Sequence, residues 1–173
     1  MIQKHFPENK DIILCPCADV HLGAAEHMET AWREFHTKVL ETPNMYLLLC
    51  GDLINNATRN SVSNIFEETM RPADQKKEMA KILAPVAHKI LAAVSGNHER
   101  RSGKDADDDP MLDIMSKLDL VDLYRQNAAF VKVCFGSREA GDRVKPLQTY
   151  TLCCTHGAGG GIYTGASVNR NER

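Results

Sequence analysis

The chain has 173 residues, 43% hydrophobic and 25% charged, with a formal net charge of −2. That length suits one domain with a real core, and the charge offers no basic excess to announce a broad nucleic-acid-binding face. A nuclease is still allowed, because a metal centre can supply positive charge itself. No apolar run approaches the ~20 residues of a membrane span, and Met1–Lys10 lacks the apolar core of a signal peptide. A soluble, cytoplasmic protein without a membrane partner is expected.

In chain order, Asp11–Cys17 reads as a buried strand. Trp32, Phe35 and Val39 recur at helical spacing and predict a helix over roughly Met28–Glu41. Met45–Cys50 is a second buried strand. Met79, Ile82, Leu83, Val86 and Ile90 form another helical stripe, with Pro85 inside it to kink or split the helix. Ala92–Ser95 is a short third strand. Asp107, Asp108 and Asp109 precede Pro110 and a stripe of Met111, Met115 and Leu118. Acids followed by proline suit a helix N-terminus better than a calcium loop. Phe130–Phe135 and Gln148–Thr155 are two further strands joined by a charged turn around Gly141–Lys145. The alternation implies an α/β fold with a largely parallel sheet. The six cysteines sit mostly in strand-like runs and are read as reduced, buried thiols. A metal site at Cys15 and Cys17 would lack a second pair at finger spacing.

Four strand candidates run directly into metal-ligand residues. Asp19 and His21 follow the first, Asp52 the second, Asn97 and His98 the third, and His156 the last. Ligands collect beyond the carboxyl ends of strands in open α/β sheets, so these residues are expected to meet at one edge. Aspartates offset divalent charge, and neutral imidazoles suit Zn, Mn or Fe. A bridging carboxylate holds two ions about 3.5–4 Å apart, an arrangement that clamps phosphate and acidifies water. With Asn97 as a ligand, His98 is free for acid catalysis.

These motifs resemble the calcineurin-like metallophosphoesterases, whose pattern is D-x-H, G-D, G-N-H-[DE], a lone His and G-H-x-H. Here they stand as Asp19-Val20-His21, Gly51-Asp52, Gly96-Asn97-His98-Glu99 and His156, a match running from Ile12 to about Arg173. THGAGGG is most similar to the phage-type and bacterial branch. The resemblance implies two packed β-sheets flanked by helices, an α/β/β/α sandwich. It implies two divalent metal ions, Mn, Zn or Fe. Asp19 and His21 would bind the first, Asp52 would bridge, and Asn97 and His156 would bind the second. It implies hydrolysis of phosphate mono- or diesters by a water that both metals activate, with His98 assisting the leaving group. Nucleotides and nucleic acid fall within that substrate class.

Two departures from the pattern stand out. No histidine follows His156, so the G-H-x-H ligands are missing. The single domain over residues 1–173 is therefore expected to be cut short at its C-terminus, with weaker metal binding. A catalytically incomplete metal- or partner-binding domain is the alternative, and an uncovered sheet edge would favour a homo-oligomer. Second, Gly51-Asp52-Leu53-Ile54-Asn55-Asn56 places Asn55 where protein phosphatases carry an aspartate that orients the catalytic histidine, and their following arginine is absent. That argues against phosphoprotein substrates. Asn55 and Arg100 are candidate substrate contacts, Arg101 is read as lying in a solvated loop, and His27 is a further candidate contact through its nearness to His21. The glycines from Gly157 to Gly165 suit a flexible loop lining the site, since no GK[ST] follows.

Overall fold

The computed structural model describes residues 1–8, 11–59, 61, 65–140 and 143–157. A four-stranded, all-parallel sheet is built from β2 (Ile13–Cys17), β3 (Met45–Leu49), β4 (Ile90–Val94) and β5 (Tyr124–Arg125), in that spatial order. The sequence reads as continuous apolar runs at β3 and β4 because a parallel sheet is covered on both faces, and every residue of β4 is buried. Strand order equals chain order, so right-handed crossovers all fall on one side of the sheet. That side carries α1 (Glu29–Glu41), α2 (Pro72–Leu83) and α4 (Pro110–Lys117). Trp32, Val39, Met79, Leu83, Met111 and Ile114 pack there against Leu47, Leu49 and Ala93.

The opposite face is left to a second sheet: β1 (Ile2–Phe6), β6 (Ala128–Phe135) and β9 (Gln148–Thr155), with β6 central. β1 runs parallel to β6 and β9 antiparallel. Ile2, Phe6, Ala129, Val131 and Cys154 meet Leu48, Leu91 and Val94 in a core between the sheets. Two packed sheets flanked by helices are thus what the chain forms. On the outer side of β6 and β9, Phe130 and Tyr150 remain about half exposed, and no described helix covers them. No described helix is long and apolar enough to cross a membrane.

Several expectations shift. The helical stripe ends sooner than the spacing suggests: α2 stops at Leu83, Ala84–Lys89 continues as a 3-10 segment around Pro85, and Ile90 already opens β4. Met1–Lys10, for which no element is expected, contains β1, whose two buried residues are Ile2 and Phe6. The segment after Gly96, expected as a loop, is α3 (Asn97–Ala106). It carries no apolar stripe, and its buried residues are Glu99 and Ser102. The charged turn before β9 is a hairpin of β7 (Arg138–Ala140) and β8 (Arg143–Lys145). All six cysteines are free, but Cys153 is exposed, since alternation along β9 turns Cys154 inward and its neighbour out. The glycines from 158 onward lie outside the described residues.

Asp109 caps α4, accepting from the Leu112 N–H at 3.0 Å, as the acids before Pro110 foretell. Lys89 is buried and closes the other end of α1, its ammonium donating to the carbonyls of Val39 at 2.6 Å, Thr42 at 2.7 Å and Leu40 at 3.3 Å.

Candidate metal centre

The loops leaving β2 and β3 run side by side. Asp19 N–H donates to the Gly51 carbonyl at 3.2 Å, His21 N–H to that of Asp52 at 3.1 Å, and Leu22 N–H to that of Leu53 at 3.0 Å. This backbone ladder carries the parallel pairing past the strand ends and sets Asp19 and His21 beside Asp52. All three adopt left-handed backbone, with φ of 57°, 48° and 52°. Such a conformation costs an L-residue about 1–2 kcal/mol, and strain of this kind gathers at functional sites.

Asp52 is the hub, with a side chain only 3% exposed. Its Oδ2 lies 3.3 Å from His156 Nε2, 3.7 Å from His98 Nε2 and 3.9 Å from His21 Nε2. Its Oδ1 accepts the His98 N–H at 2.8 Å. His21 Nε2 is also 3.7 Å from Asp19 Oδ1. Two sets of ligating atoms result, each within 4.8 Å: His21, Asp52 and His98; and Asp19, Asp52 and His156. Asn97 joins the second, its Oδ1 standing 3.0 Å from His156 Nε2. The structure therefore gathers every residue expected as a ligand, from the ends of β2, β3, β4 and β9. It also brings in His98, which the sequence reading kept apart as catalytic. Cys15 and Cys17 belong to neither set.

The donor chemistry fits cations. The Nδ1 of His156 donates to the Cys50 carbonyl at 2.7 Å, which fixes the tautomer and leaves Nε2 a bare lone pair. In the neutral imidazole that lone pair lies with the Asn97 amide oxygen and an Asp52 carboxylate oxygen around one point, a nitrogen and two oxygens of the kind that ligate divalent ions. His21 Nδ1 is buried without a described partner.

His98 is held in the same manner. Its Nδ1 donates to the Asn55 main-chain carbonyl at 2.7 Å, so the backbone of Asn55 orients the imidazole at the position where protein phosphatases would carry an aspartate side chain. Burial, more than any other influence, pulls the His98 pKa down from its ordinary value, and the nearby Arg101 charge acts in the same direction. The Asn55 side chain is turned to Glu68. Arg101, expected in a solvated loop, donates from Nη2 to His98 Nε2 at 2.9 Å. Arg100, the candidate phosphate contact, instead donates to the Gly96 carbonyl at 3.0 Å and to Asn127 at 3.4 Å. One helical residue of displacement rotates the side chain by about 100°, which is why the two neighbours separate.

Glu99 was quoted in the sequence only as part of a motif, with no role given. It is buried, and its carboxylate collects four backbone donors: Leu53 at 2.8 Å and Ile54 at 3.3 Å on Oε1, and Asp52 and Gly96 at 2.9 Å each on Oε2. Burial pushes its pKa up, as does the Asp52 charge, against the pull of these donors. The two glycines of the motifs are steric requirements. A Cβ on Gly96 would lie 2.0 Å from Asp52 Oδ1, and one on Gly51, at φ +89°, would lie 2.3 Å from the Gly96 nitrogen. Behind the site, Cys50 Sγ and Cys154 Sγ touch at 3.4 Å, joining the two sheets.

None of the curated proteins matches the chain. The family model described as calcineurin-like phosphoesterase matches it over residues 16–173, a span that takes in every residue of the cluster just described. With both the motifs and their convergence accounted for, the chain belongs to the calcineurin-like phosphoesterase family.

Proposed function

We propose that the cluster around Asp52 is a two-metal phosphoesterase centre hydrolysing phosphate mono- or diesters. The carrying observation is the convergence of Asp19, His21, Asp52, Asn97 and His156 on one cluster, their ligating atoms within a few ångströms of one another. Asp19 and His21 would hold one ion, Asn97 and His156 the other, and Asp52 would serve both. Bound divalent ions would neutralise the ester's charge and acidify water. His98 acts on the leaving oxygen. Burial and Arg101 hold its imidazole toward the neutral form, and an anionic phosphate beside it raises its proton affinity, so that Nε2 carries a proton to the departing alkoxide. Arg101, adjacent to that nitrogen, is placed to pair with a phosphoryl oxygen.

The test is His98→Ala, read by turnover of a chromogenic phosphodiester and by metal content. Turnover is expected to fall about 10²–10⁴-fold with metal content unchanged. Loss of one metal per chain would make His98 a ligand, and unchanged turnover would remove it from catalysis. The competing outcome is a metal-binding domain without activity. Elemental analysis of wild type after reconstitution with manganese or zinc separates the two. About two ions per chain with turnover supports the enzyme, and metal without turnover supports the binding domain.

A further inference from the structure

The Asn55 carbonyl that accepts from His98 Nδ1 at 2.7 Å is one half of a peptide group whose other half is also held. The N–H of that peptide, on Asn56, donates to Gln75 Oε1 at 2.8 Å. Gln75 stands in the first turn of α2 and has no exposed surface. Its Nε2 donates onward to the Glu68 carboxylate and, at 2.7 Å, to the Met70 carbonyl. Glu68 also accepts from the Asn55 side chain. Every donor from His98 to Glu68 therefore points the same way, through two amides, toward one carboxylate. Gly23, at φ +100°, leaves room for the glutamine, since a Cβ there would lie 2.2 Å from Nε2. Asn56 is left-handed, at φ 46°, and its Nδ2 donates to the His98 carbonyl and to Ser102 Oγ at 2.8 Å each.

Hydrogen bonds aligned in series polarise one another, and a low local dielectric strengthens them. With an anion at the far end, the series keeps the proton on Nδ1, and the bond at one ring nitrogen sets the tautomer. Nε2, 3.7 Å from Asp52 Oδ2, is left as the nitrogen that exchanges a proton with substrate. Filling space would ask only for an apolar side chain of the same length, yet both polar ends of Gln75 are bonded to groups outside its own helix. We infer that Gln75 is a positioning residue for His98: through the Asn55–Asn56 peptide it links the Glu68 carboxylate to the imidazole and holds the ring aimed at the cluster. The inference rests on the phosphoesterase reading above and adds to it the group that stands in for an orienting side-chain carboxylate, which position 55 lacks.

The experiment is Gln75→Met on the metal-reconstituted protein, with bis(p-nitrophenyl) phosphate and diphenyl phosphate as substrates. p-Nitrophenolate departs without a proton, whereas phenolate, the stronger base, gains from one. A residue that aims the proton donor therefore matters more for the second ester. kcat for diphenyl phosphate is expected to fall about tenfold or more, part of the roughly 10²–10⁴-fold that general-acid catalysis supplies. kcat for the nitrophenyl ester should fall by a smaller factor, with metal content unchanged. Glu68→Gln, at a half-buried position, should skew the two esters in the same direction with less demand on folding. Gln75→Glu combined with Glu68→Gln returns an acceptor to the Asn56 N–H and should bring diphenyl phosphate turnover back toward wild type. Independently of turnover, the His98 Nδ1 proton, identified by its absence in His98→Ala, should move upfield in the proton NMR spectrum of Gln75→Met or Glu68→Gln as its hydrogen bond weakens. Equal losses on the two esters with that resonance in place would make Gln75 merely structural and overturn the inference, leaving the hydrolase reading standing. An upfield shift in a protein that hydrolyses neither ester would uphold the link from Gln75 to His98 and sink the hydrolase.

Discussion

Replacing Glu99 by glutamine keeps the shape of the side chain and changes half of its chemistry. Each carboxylate oxygen accepts two backbone N–H groups. In glutamine one of those oxygens becomes an NH₂, which faces two donors and accepts from neither. Hydrogen bonds to a charged acceptor are worth about 1.5–3 kcal/mol each, so the gross loss is about 3–6 kcal/mol. Against this stand the relief of burying a carboxylate and of its repulsion from Asp52, the two causes that raise the Glu99 pKa. Four donors at one carboxylate exceed what solvent would supply to a buried group, and a net destabilisation of about 2–4 kcal/mol is expected. Urea unfolding in the presence of a chelator measures it without metal binding, as a midpoint lowered by about 1 M or more. The same variant should bind manganese at least about tenfold more weakly, because whichever oxygen is replaced, a bond to the Asp52–Ile54 turn is lost. A midpoint at or above wild type would mean that desolvation and repulsion outweigh the two lost hydrogen bonds, and the reasoning would fail.

Two further outcomes follow from packing. Gly96→Ala must push Asp52 aside, since its Cβ would stand 2.0 Å from Oδ1 and 2.3 Å from the Asp52 nitrogen. A folded protein with manganese affinity lowered about tenfold or more is expected, read by metal titration, and wild-type affinity would show that the hub tolerates displacement. Lys89→Met removes the ammonium that closes the end of α1 at three carbonyls. It should cost about 2–4 kcal/mol by urea unfolding and leave metal binding intact, because Lys89 precedes β4 and the cluster lies beyond that strand's other end.

The parts of the fold legible in the sequence are those specified by apolar pattern. β3 reads as an uninterrupted hydrophobic run, β4 shows only from Ala92 because Ile90 also fits the preceding helical stripe, and Trp32, Phe35 and Val39 mark α1 by spacing alone. α3 escaped because nothing in Asn97–Ala106 is apolar enough to form a stripe. Its buried face is made of Glu99 and Ser102, satisfied by backbone N–H groups and by Asn56, and hydropathy does not register a polar group that finds its partners inside. β1 escaped for another reason: five residues with two buried ends give too little alternation to stand out. Lys89 left no signal at all, since a lysine buried by three carbonyls looks in sequence like any surface lysine.

At the cluster, residue types were legible and their support was not. D-x-H, G-D and G-N-H-E announce ligands, yet nothing in those letters says that Asp19, His21 and Asp52 all take left-handed backbone. At about 1–2 kcal/mol each, three such residues cost about as much as a small domain can spare. The conformation persists because other bonds over-determine it: the ladder from Asp19, His21 and Leu22 to Gly51, Asp52 and Leu53 on one side, and the Glu99 carboxylate on the other. Neither support touches a ligand atom. The ligands are thus aimed by main chain, and the main chain is aimed by a residue of α3. A substitution that keeps all five expected ligands and removes Glu99 would leave the sequence motif of a metal site almost intact and its geometry without a reason to hold.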